Sequence, residues 1–324
     1  MIKILILGAT GFIGRHIAQA VIGANFSVYG LCRNPNNQEL SLDSPIICRK
    51  CNLNNFQSLQ DAMIGMDVVF HSVAFYPKQG DSRKVSEQVL QAETEIQNVI
   101  QAAFKTKIKR IIYTSSLTTI GHPPPEETRL ADERDSYLPG IIAKSGYYES
   151  KIAMENIFLE ACNQGLPEVS INPTAVFGPG DSQFGMGGIL IAVARGWMPG
   201  EINVVDVRDV AKAHINAKDY GRVGERYIVG GEYYSIREAL SFGAELAQRR
   251  PPCIRIPLTL IKFLIFLVDY IPSLPIPTNH LSAICFWQGY NTIKAQKELQ
   301  YTSRTFRDTV NDTLEWYCKL GYIK

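Results

Sequence analysis

The stretch Lys3–Gly14, KILILGATGFIG, decides the fold of this chain. Its Ile4–Leu7 part is an apolar run of β-favouring residues, too short for a helix, so it predicts a buried strand. Glycines then recur at every third position, and the following pattern predicts a helix over 12–24. A strand that ends in a glycine-rich turn and opens a helix is typical of a phosphate-binding site, because the helix N-terminus offers free N–H groups and a partial positive charge.

The three glycines of this stretch have separate expected roles. Gly8 allows a tight turn, Gly11 lets a pyrophosphate approach the backbone, and Gly14 lets the helix lie close to the strand. The spacing Gly-x-x-Gly-x-x-Gly, with Thr10 inside it, differs from the G-x-G-x-x-G fingerprint. A glycine turn without a ligand is the alternative, but the strand before it and the helix after it favour a nucleotide site.

The composition is that of an ordinary globular protein, with 46% hydrophobic and 20% charged residues in a chain of 324. The net charge of +2 and the absence of a basic stripe with interleaved aromatic residues argue against a nucleic-acid partner. The apolar run near the N-terminus is four residues long, too short for a secretory signal, so we expect a cytoplasmic protein.

The seven cysteines are scattered along the chain. Cys48 and Cys51 form a lone C-x-x-C inside a predicted strand, and no second pair completes a zinc site. We therefore expect no metal, cysteines with a structural role, and a reducing, cytoplasmic setting.

Strand and helix patterns alternate through the first half of the chain, which predicts an α/β fold with a doubly wound parallel sheet. We expect a dinucleotide-binding Rossmann domain over 1–180, to which 203–230 returns. The remainder, 181–324, is expected to form a smaller, interleaved and mainly α substrate domain. Strands are predicted at 4–7, 27–32, 46–51, 67–71, 109–114, 169–172, 203–205 and 226–229, and helices at 12–24, 56–64, 82–105, 147–163, 189–195, 207–218, 235–248, 258–270 and 303–319.

The segment Leu258–Ile271 is almost wholly apolar. Its fourteen residues would reach about 21 Å as a helix, whereas a bilayer core needs about 30 Å, so we expect no transmembrane span. A helix packed inside the C-terminal domain is the preferred interpretation. A wall of the substrate pocket and a contact with a membrane surface are the alternatives.

A candidate acid–base pair lies in the run YYESK over 147–151. Tyr147 and Lys151 are four residues apart, so a helix places them on one face. A phenol with a pKa of about 10 is a poor acid at neutral pH, and a neighbouring ammonium favours the phenolate and lowers that pKa. Ser115 and Ser116 follow the strand 109–114, at the edge of the sheet where ligands gather.

The end of the second strand bears on the choice of cofactor. An acidic residue there would bind the ribose hydroxyls of NAD, whereas an arginine accepts the 2′-phosphate of NADP. Arg33 stands at this point, and the first carboxylate after it is the distant Glu39. The pattern favours NADP, with NAD as the alternative. The other interpretation of Arg33 is a solvated arginine in a loop, without a role in cofactor binding.

Four segments in the right order, GATGFIG, IYTSSLTTIG, YYESK and NPTAVFGPG, resemble the extended short-chain dehydrogenase/reductase superfamily, of the NAD-dependent epimerase/dehydratase type. Further resemblance in VVDVRDVAKAHINA, GERYIVGG and KAQKELQY extends it over nearly the whole chain. Within that group the chain looks most similar to dihydroflavonol-reductase-like and hopanoid-associated sugar-epimerase-like proteins.

This resemblance implies that Ser116, Tyr147 and Lys151 are the catalytic residues, with Ser116 favoured over Ser115. Two departures are visible: Asn52 stands where relatives often carry Asp, and Ala92 stands where many carry Asn. The residues implied to contact the cofactor are Gly8, Thr10, Gly11, Phe12, Ile13, Gly14, Arg33, Asn52, Leu53, Ala74, Lys151, Pro173 and Val176.

The resemblance implies hydride transfer between nicotinamide C4 and a substrate carbon, with Tyr147 moving the proton and Ser116 orienting the substrate oxygen. We expect an NADPH-dependent reductase of a ketone or aldehyde. A nucleotide-sugar epimerase or dehydratase with the same triad is the first alternative, and a redox-sensing NADP-binding protein without turnover is the second. The expected partners are a small-molecule substrate and a second copy of the chain in a homodimer.

Overall fold

A seven-stranded parallel sheet forms the frame of the molecule. The computed structural model describes residues 2–32, 46–73, 84–138, 140, 146–182, 196–197, 200–246, 248, 250–257, 259–260, 263 and 288–322. The strands in these residues are β1 (Lys3–Leu7), β2 (Ser27–Cys32), β3 (Ile47–Lys50), β4 (Val68–His71), β5 (Arg110–Thr114), β6 (Glu168–Pro173), β7 (Ala175–Phe177), β8 (Gly196–Trp197), β9 (Glu201–Asp206), β10 (Arg226–Val229), β11 (Tyr233–Ser235) and β12 (Ile254–Arg255). The main sheet has the order β3-β2-β1-β4-β5-β6-β10, and all its neighbouring strands are parallel. The predicted fold class is confirmed.

Helices cover both faces of this sheet. α1 packs against α5 on one face, while α3 packs against both α2 and α4 on the other. A short 3-10 helix, Leu117–Thr119, follows β5. The α-helices of the described residues are α1 (Phe12–Gly23), α2 (Phe56–Met63), α3 (Val85–Thr106), α4 (Gly146–Asn163), α5 (Val207–Tyr220), α6 (Ile236–Leu246), α7 (Ile293–Glu298) and α8 (Phe306–Lys319).

The sequence of β1 explains why this strand lies at the centre. Successive side chains of a strand point to opposite faces, and both faces of a doubly wound sheet are covered by helices. Ile4 and Ile6 accordingly belong to the core cluster on the α1 face, whereas Leu5 and Leu7 belong to the cluster on the α3 face. An unbroken apolar run is therefore what this position requires, and the alternating pattern of an edge strand would not fit it.

Three further strands form a second sheet, in the order β11-β9-β7. β9 is parallel to β7 and antiparallel to β11. Its core joins Phe177 and Val204 to Phe306 and Val310 of α8, so the C-terminal helix closes this small sheet.

The segment 203–230 returns to the main sheet only in part. β10 pairs with β6, as predicted, but β9 pairs with β7 and β11 instead. In the main sheet, β10 already occupies the position beside β6. β9 therefore pairs with two short strands, β7 and β11. The division of the chain into two domains stays a prediction.

Some predicted features lie outside the described residues, including the helix 189–195 and most of the helix 258–270. Leu260 and Phe263, which are described, are exposed. Within the described part of the chain, no helix is long and apolar enough to cross a membrane, and no group of three or more His, Cys, Asp or Glu side chains is placed to hold a metal. Cys48 is disulfide-bonded, which differs from the reduced state that the sequence led us to expect, while Cys51 is buried and free.

Candidate active site

The glycine turn after β1 has the shape that the sequence predicts. Gly8 adopts a φ of 93°, which favours glycine, and its carbonyl accepts a hydrogen bond of 2.9 Å from the Gly11 N–H. Gly11 is the N-cap of α1 and has no side chain to cap the helix. A Cβ added to Gly14 would lie 2.0 Å from the Gly8 carbonyl oxygen, so only glycine allows α1 to approach the turn this closely.

The other predicted members of this turn have ordinary environments. Thr10, Phe12 and Ile13 are half-buried. Ile13 packs against the core on the α1 face, while the Phe12 ring lies edge-on to His16 with 6.0 Å between centroids. Ile13 therefore packs α1 onto the sheet, and the first N–H groups of α1, which no side chain caps, are the feature that would face a phosphate.

Two residues of α1 that the sequence reasoning did not single out also lie at this turn. Arg15 is half-buried and donates a hydrogen bond of 3.1 Å to the Thr10 carbonyl, which places a guanidinium beside the loop. His16 Nε2 lies 2.8 Å from the Pro179 carbonyl oxygen and so joins α1 to the turn after β7. The signal for Arg15 was available, because a cation one residue after the last glycine of a phosphate loop lies within its first helical turn.

The carboxyl end of β5 holds a buried lysine. Lys151 of α4 is only 2% exposed, and its Nζ donates a hydrogen bond of 2.8 Å to the Thr114 carbonyl oxygen. The same ammonium lies 5.0 Å from the centre of the Tyr113 ring. Thr114 is fixed in turn by a contact of 2.7 Å between its Oγ1 and His214 Nε2. The Lys151 ammonium is thereby anchored to Thr114, which precedes Ser116 by two residues in the chain.

Ser116 begins the 3-10 helix after β5 and is 9% exposed. Its Oγ accepts a hydrogen bond of 3.2 Å from the Thr118 N–H. Because the oxygen is used as an acceptor there, the hydroxyl proton is left to donate elsewhere. Ser115, the neighbouring candidate, is also buried, so burial does not separate the two serines.

The two tyrosines at the start of α4 differ in their surroundings. Tyr147 is half-buried, whereas Tyr148 is 3% exposed and forms a small core cluster with Tyr137 and Ile152. Tyr147 and Lys151 lie one helical turn apart on α4. Tyr147 also packs against this cluster, but it is the less buried of the two and the one on the Lys151 face of α4.

Burial controls the charge of this region. It lowers the pKa of Lys151 to about 7, against the opposing effect of the Glu155 charge. Burial and then the Lys151 charge lower the pKa of His71 to about 3, so this imidazole is neutral. His71 packs edge-on against Tyr113 and Phe158, which gives it a packing role in the core.

The turn after β6 brings its residues next to α1. Pro173 ends β6 and is buried, and Val176 in β7 is half-buried against the core on the α1 face. Gly178 adopts a φ of 144°, and a Cβ there would lie 2.5 Å from Val207. Through the His16 contact to Pro179, this turn adjoins the helix that the glycine loop opens.

The remaining predicted cofactor residues are placed less informatively. Asn52 is exposed, and its side-chain oxygen accepts a hydrogen bond of 3.1 Å from the Asn54 N–H, so it stabilises its own turn. Leu53 packs against the core on the α3 face, and its carbonyl accepts a hydrogen bond of 3.0 Å from Asn98. Arg33 and Ala74 lie outside the described residues.

The residues present fit a dinucleotide. The lack of a Cβ at Gly14 keeps α1 close to the glycine turn, no side chain caps the N-terminus of α1, and Arg15 supplies a cation beside it. Lys151 lies at the carboxyl end of β5, near the switch in strand order where such ligands bind.

Comparison with known proteins identifies the family. The model of the NAD dependent epimerase/dehydratase family matches residues 4–230. A putative dihydroflavonol 4-reductase from Synechocystis is 28% identical, over 98% of this chain and 95% of its own length. Sterol demethylase protein B from Methylococcus capsulatus is 26% identical, over 98% and 99%. A nucleoside-diphosphate-sugar epimerase from Pseudomonas aeruginosa shares the fold, with a TM-score of 0.84 over 100% of this chain and 99% of its own, at 23% identity. The chain belongs to the NAD dependent epimerase/dehydratase family and is an NAD(P)-dependent oxidoreductase.

Proposed function

We propose that this protein is a reductase that transfers hydride from NADPH to the carbonyl carbon of a ketone or aldehyde. The observation that carries the proposal is the hydrogen bond of 2.8 Å from Lys151 Nζ to the Thr114 carbonyl. This bond fixes the Lys151 ammonium at the carboxyl end of β5. Lys151 lies one helical turn after Tyr147, and its partner Thr114 is two residues before Ser116 in the chain.

The chain's own groups have distinct roles in this proposal. Tyr147 donates the proton to the substrate oxygen as that oxygen gains negative charge. Lys151 brings a positive charge to the same face of α4 as Tyr147 and binds the ribose hydroxyls. Ser116, whose Oγ is held by the Thr118 N–H at 3.2 Å, donates its own proton to the same substrate oxygen. The nicotinamide supplies the hydride when the cofactor is bound.

The preference for the phosphorylated cofactor rests on Arg33, which follows β2 with no carboxylate nearby in the sequence. A guanidinium pairs with a 2′-phosphate through two parallel hydrogen bonds. Arg15, beside the glycine turn, is placed for the pyrophosphate that both forms of the cofactor share. On the adenine side, the proposal uses the side-chain carbonyl oxygen of Asn52, which accepts from the Asn54 N–H and has a second lone pair.

The substrate proposed is a small organic carbonyl compound. In this proposal the apolar segment 258–271 lines the substrate pocket, which favours an apolar molecule over a nucleotide sugar. The relative from Synechocystis is named a reductase and matches almost the full length, which supports net reduction. A homodimer, a cytoplasmic location and the division at residue 180 stay predictions, and light scattering tests the first of them.

The experiment offers NADPH with a panel of aromatic and alicyclic ketones and aldehydes and follows the loss of absorbance of the reduced nicotinamide. Nucleotide sugars are offered in parallel without added reductant, and the products are examined by NMR. Stoichiometric NADPH consumption supports the proposal. Sugar epimerisation without net cofactor use would favour the epimerase instead, and NADPH binding without turnover of either class would favour a redox-sensing protein.

A further inference from the structure

A second buried charged group lies one turn beyond Lys151 on α4. Glu155 is 2% exposed, as deeply buried as Lys151 itself. Its Oε1 lies 3.1 Å from Nη1 of Arg226 on β10, and its Oε2 accepts a hydrogen bond of 2.6 Å from the Asn172 amide on β6. Helical spacing of four residues puts the Glu155 carboxylate on the same face of α4 as the Lys151 ammonium.

The Asn172 amide links this carboxylate to the loop that carries Ser116. Its Nδ2 also lies 2.9 Å from Thr119 Oγ1 and 3.3 Å from the Ser116 carbonyl oxygen. Thr119 Oγ1 in turn donates a hydrogen bond of 2.9 Å to that same carbonyl. One buried amide therefore connects Glu155, the Ser116 backbone and the strand end that leads into Pro173.

The charged and titratable groups around Lys151 leave Glu155 as its counter-charge. His71 on β4 is neutral, because its pKa is lowered to about 3 by burial. Tyr113 on β5 has a raised pKa and stays a neutral phenol. Glu168 at the start of β6 has a pKa raised to about 8 by burial, so it is protonated at neutral pH.

The other cation nearby shares the Glu155 carboxylate, and the other carboxylate has a different partner. Arg226, on β10, binds Glu155 and also donates to the carbonyl oxygens of Glu133 and Asp135. Glu149 on α4 accepts a hydrogen bond of 2.8 Å from the Gly140 N–H. Tyr147, the group proposed to exchange a proton, is the other titratable residue on the Lys151 face of α4. Among the described residues, the negative charge that acts on Lys151 is that of Glu155.

We propose that Glu155 is a positioning residue that keeps the Lys151 ammonium charged inside the protein and, through Asn172, holds the backbone of Ser116. This inference rests on the proposed function for its catalytic meaning, but the charge relation between the two side chains does not. Without the carboxylate, the buried ammonium would lose its proton at a lower pH, because desolvation disfavours the charged form of an amine.

The test replaces the charge while keeping the shape. In Glu155→Gln the amide oxygen still accepts from Asn172, so the Ser116 loop keeps its support. The titration of Lys151 is followed in the protein without cofactor by NMR of lysine side chains labelled at Cε, with the signal assigned by its loss in Lys151→Met. We expect the midpoint to fall by at least one pH unit, a tenfold loss in proton affinity.

Kinetics provide a second readout. The alkaline limb of the pH profile for kcat should move to lower pH in Glu155→Gln, while KM for the ketone changes little. Asp209→Asn is the matched control: Asp209 is 1% exposed and paired with Arg304, so the variant also loses a buried carboxylate of an ion pair. It should lose stability and leave the Lys151 midpoint in place.

If Glu155→Gln does not fold, Glu155→Asp decides the question, because it keeps the charge but withdraws it by one methylene. It should give a smaller fall of the midpoint with the same sign. An unchanged Lys151 midpoint in the folded variant overturns the inference. If the wild-type protein reduces no carbonyl compound, the proposed function fails, but the NMR titration still decides the role of Glu155.

Discussion

The two ends of the main sheet each bury an ionisable side chain, in different company. At the carboxyl end, Lys151 donates to a carbonyl and has the Glu155 carboxylate as counter-charge. At the amino end of β6, Glu168 is fully buried with the Ser170 hydroxyl at 2.7 Å and the Cys162 thiol at 3.5 Å. Neither of these partners brings a full positive charge to Glu168.

The same physical force has opposite consequences at the two ends. Burial lowers the pKa of Lys151 to about 7 and raises the pKa of Glu168 to about 8. In both cases the neutral form gains. The lysine can still be charged at neutral pH beside the proposed proton donor, whereas the glutamic acid stays neutral and affects only the stability of the fold. A perturbed pKa therefore indicates function only where other site residues surround it.

Tyr147→Phe should act on the carboxyl end alone and give the largest change. Removing the hydroxyl removes the proposed proton donor, so kcat should fall by about 10²- to 10⁴-fold. The unfolding midpoint and the affinity for NADPH should stay near those of the wild-type protein. Activity assays, thermal unfolding and a fluorescence titration with NADPH measure these quantities.

Tyr148→Phe is the matched control, because this neighbouring tyrosine packs in a core cluster rather than on the Lys151 face. Its kcat should change much less than that of Tyr147→Phe. An essential Tyr148 with a dispensable Tyr147 would show that the assigned register of α4 is wrong.

Gly14→Ala should disturb the glycine turn of the proposed nucleotide site. The new Cβ would lie 2.0 Å from the Gly8 carbonyl oxygen, so α1 must move away from the turn. We expect a loss of stability on the order of 3 kcal/mol, as for other overpacked sites, together with loss of NADPH binding.

Gly23→Ala, at the end of the same helix, is its control. A Cβ at Gly23 meets nothing within 4 Å, so this variant should bind NADPH normally and be stabilised by up to about 1 kcal/mol. Chemical denaturation of both variants measures the difference. Equal stabilities would contradict the close packing of α1 on the turn.

Much of this site was open to prediction from local sequence, and the rest depended on distant partners. The glycine turn, β1 and the Tyr147–Lys151 pair follow from spacing alone, because strand, turn and helix are neighbours in the chain. The placement of β9 was wrong in part, since which sheet a strand joins depends on strands formed elsewhere. β7 and β11 were missed because three residues give no usable periodicity.

Other contacts of the site differ in how far the sequence could reveal them. Glu155 could have been found, because it repeats the four-residue spacing that relates Tyr147 to Lys151. The contact of Glu155 with Arg226 joins residues 71 positions apart, so no local sequence pattern predicts it. Burial of Lys151 was also out of reach, since it depends on the packing of α4 against β5 and β6.

Glu168→Gln should act on the amino end alone. The folded pKa of Glu168 is raised to about 8 from an ordinary value of 4.5, so folding favours the protonated acid. Stability of the wild-type protein is therefore lost as pH rises from about 4.5 to about 8, because unfolding then releases a proton. Glutamine cannot lose a proton, so the variant should be more stable than the wild type at pH 8 by on the order of 2 kcal/mol.

Urea unfolding at pH 5 and pH 8, with kcat as the control, tests this contrast between the two ends. The advantage of Glu168→Gln should shrink toward pH 5 while turnover stays unchanged. A fall in kcat would show that the amino end of the sheet is not independent of the proposed site.

Arg33→Ala should give the smallest effect, and it tests which form of the cofactor the protein prefers. The wild-type protein should bind NADPH more tightly than NADH, and the variant should narrow that gap by about tenfold, the worth of one charge-assisted contact. Arg15→Ala should weaken both cofactors alike, because it lies beside the glycine turn that both use. Titrations with both cofactors measure this, and equal affinities in the wild-type protein would contradict the NADPH preference.

The hydrogen bond of 2.8 Å between His16 and the Pro179 carbonyl has a consequence for the order in which the molecule is made. The glycine turn leaves the ribosome before the turn that contains Pro179, which lies 163 residues after its partner His16. The growing chain therefore cannot form this contact beside the glycine turn until Pro179 has been synthesised. Binding of the cofactor therefore becomes a late step of folding, and it stabilises only chains in which β6 and β7 have already formed.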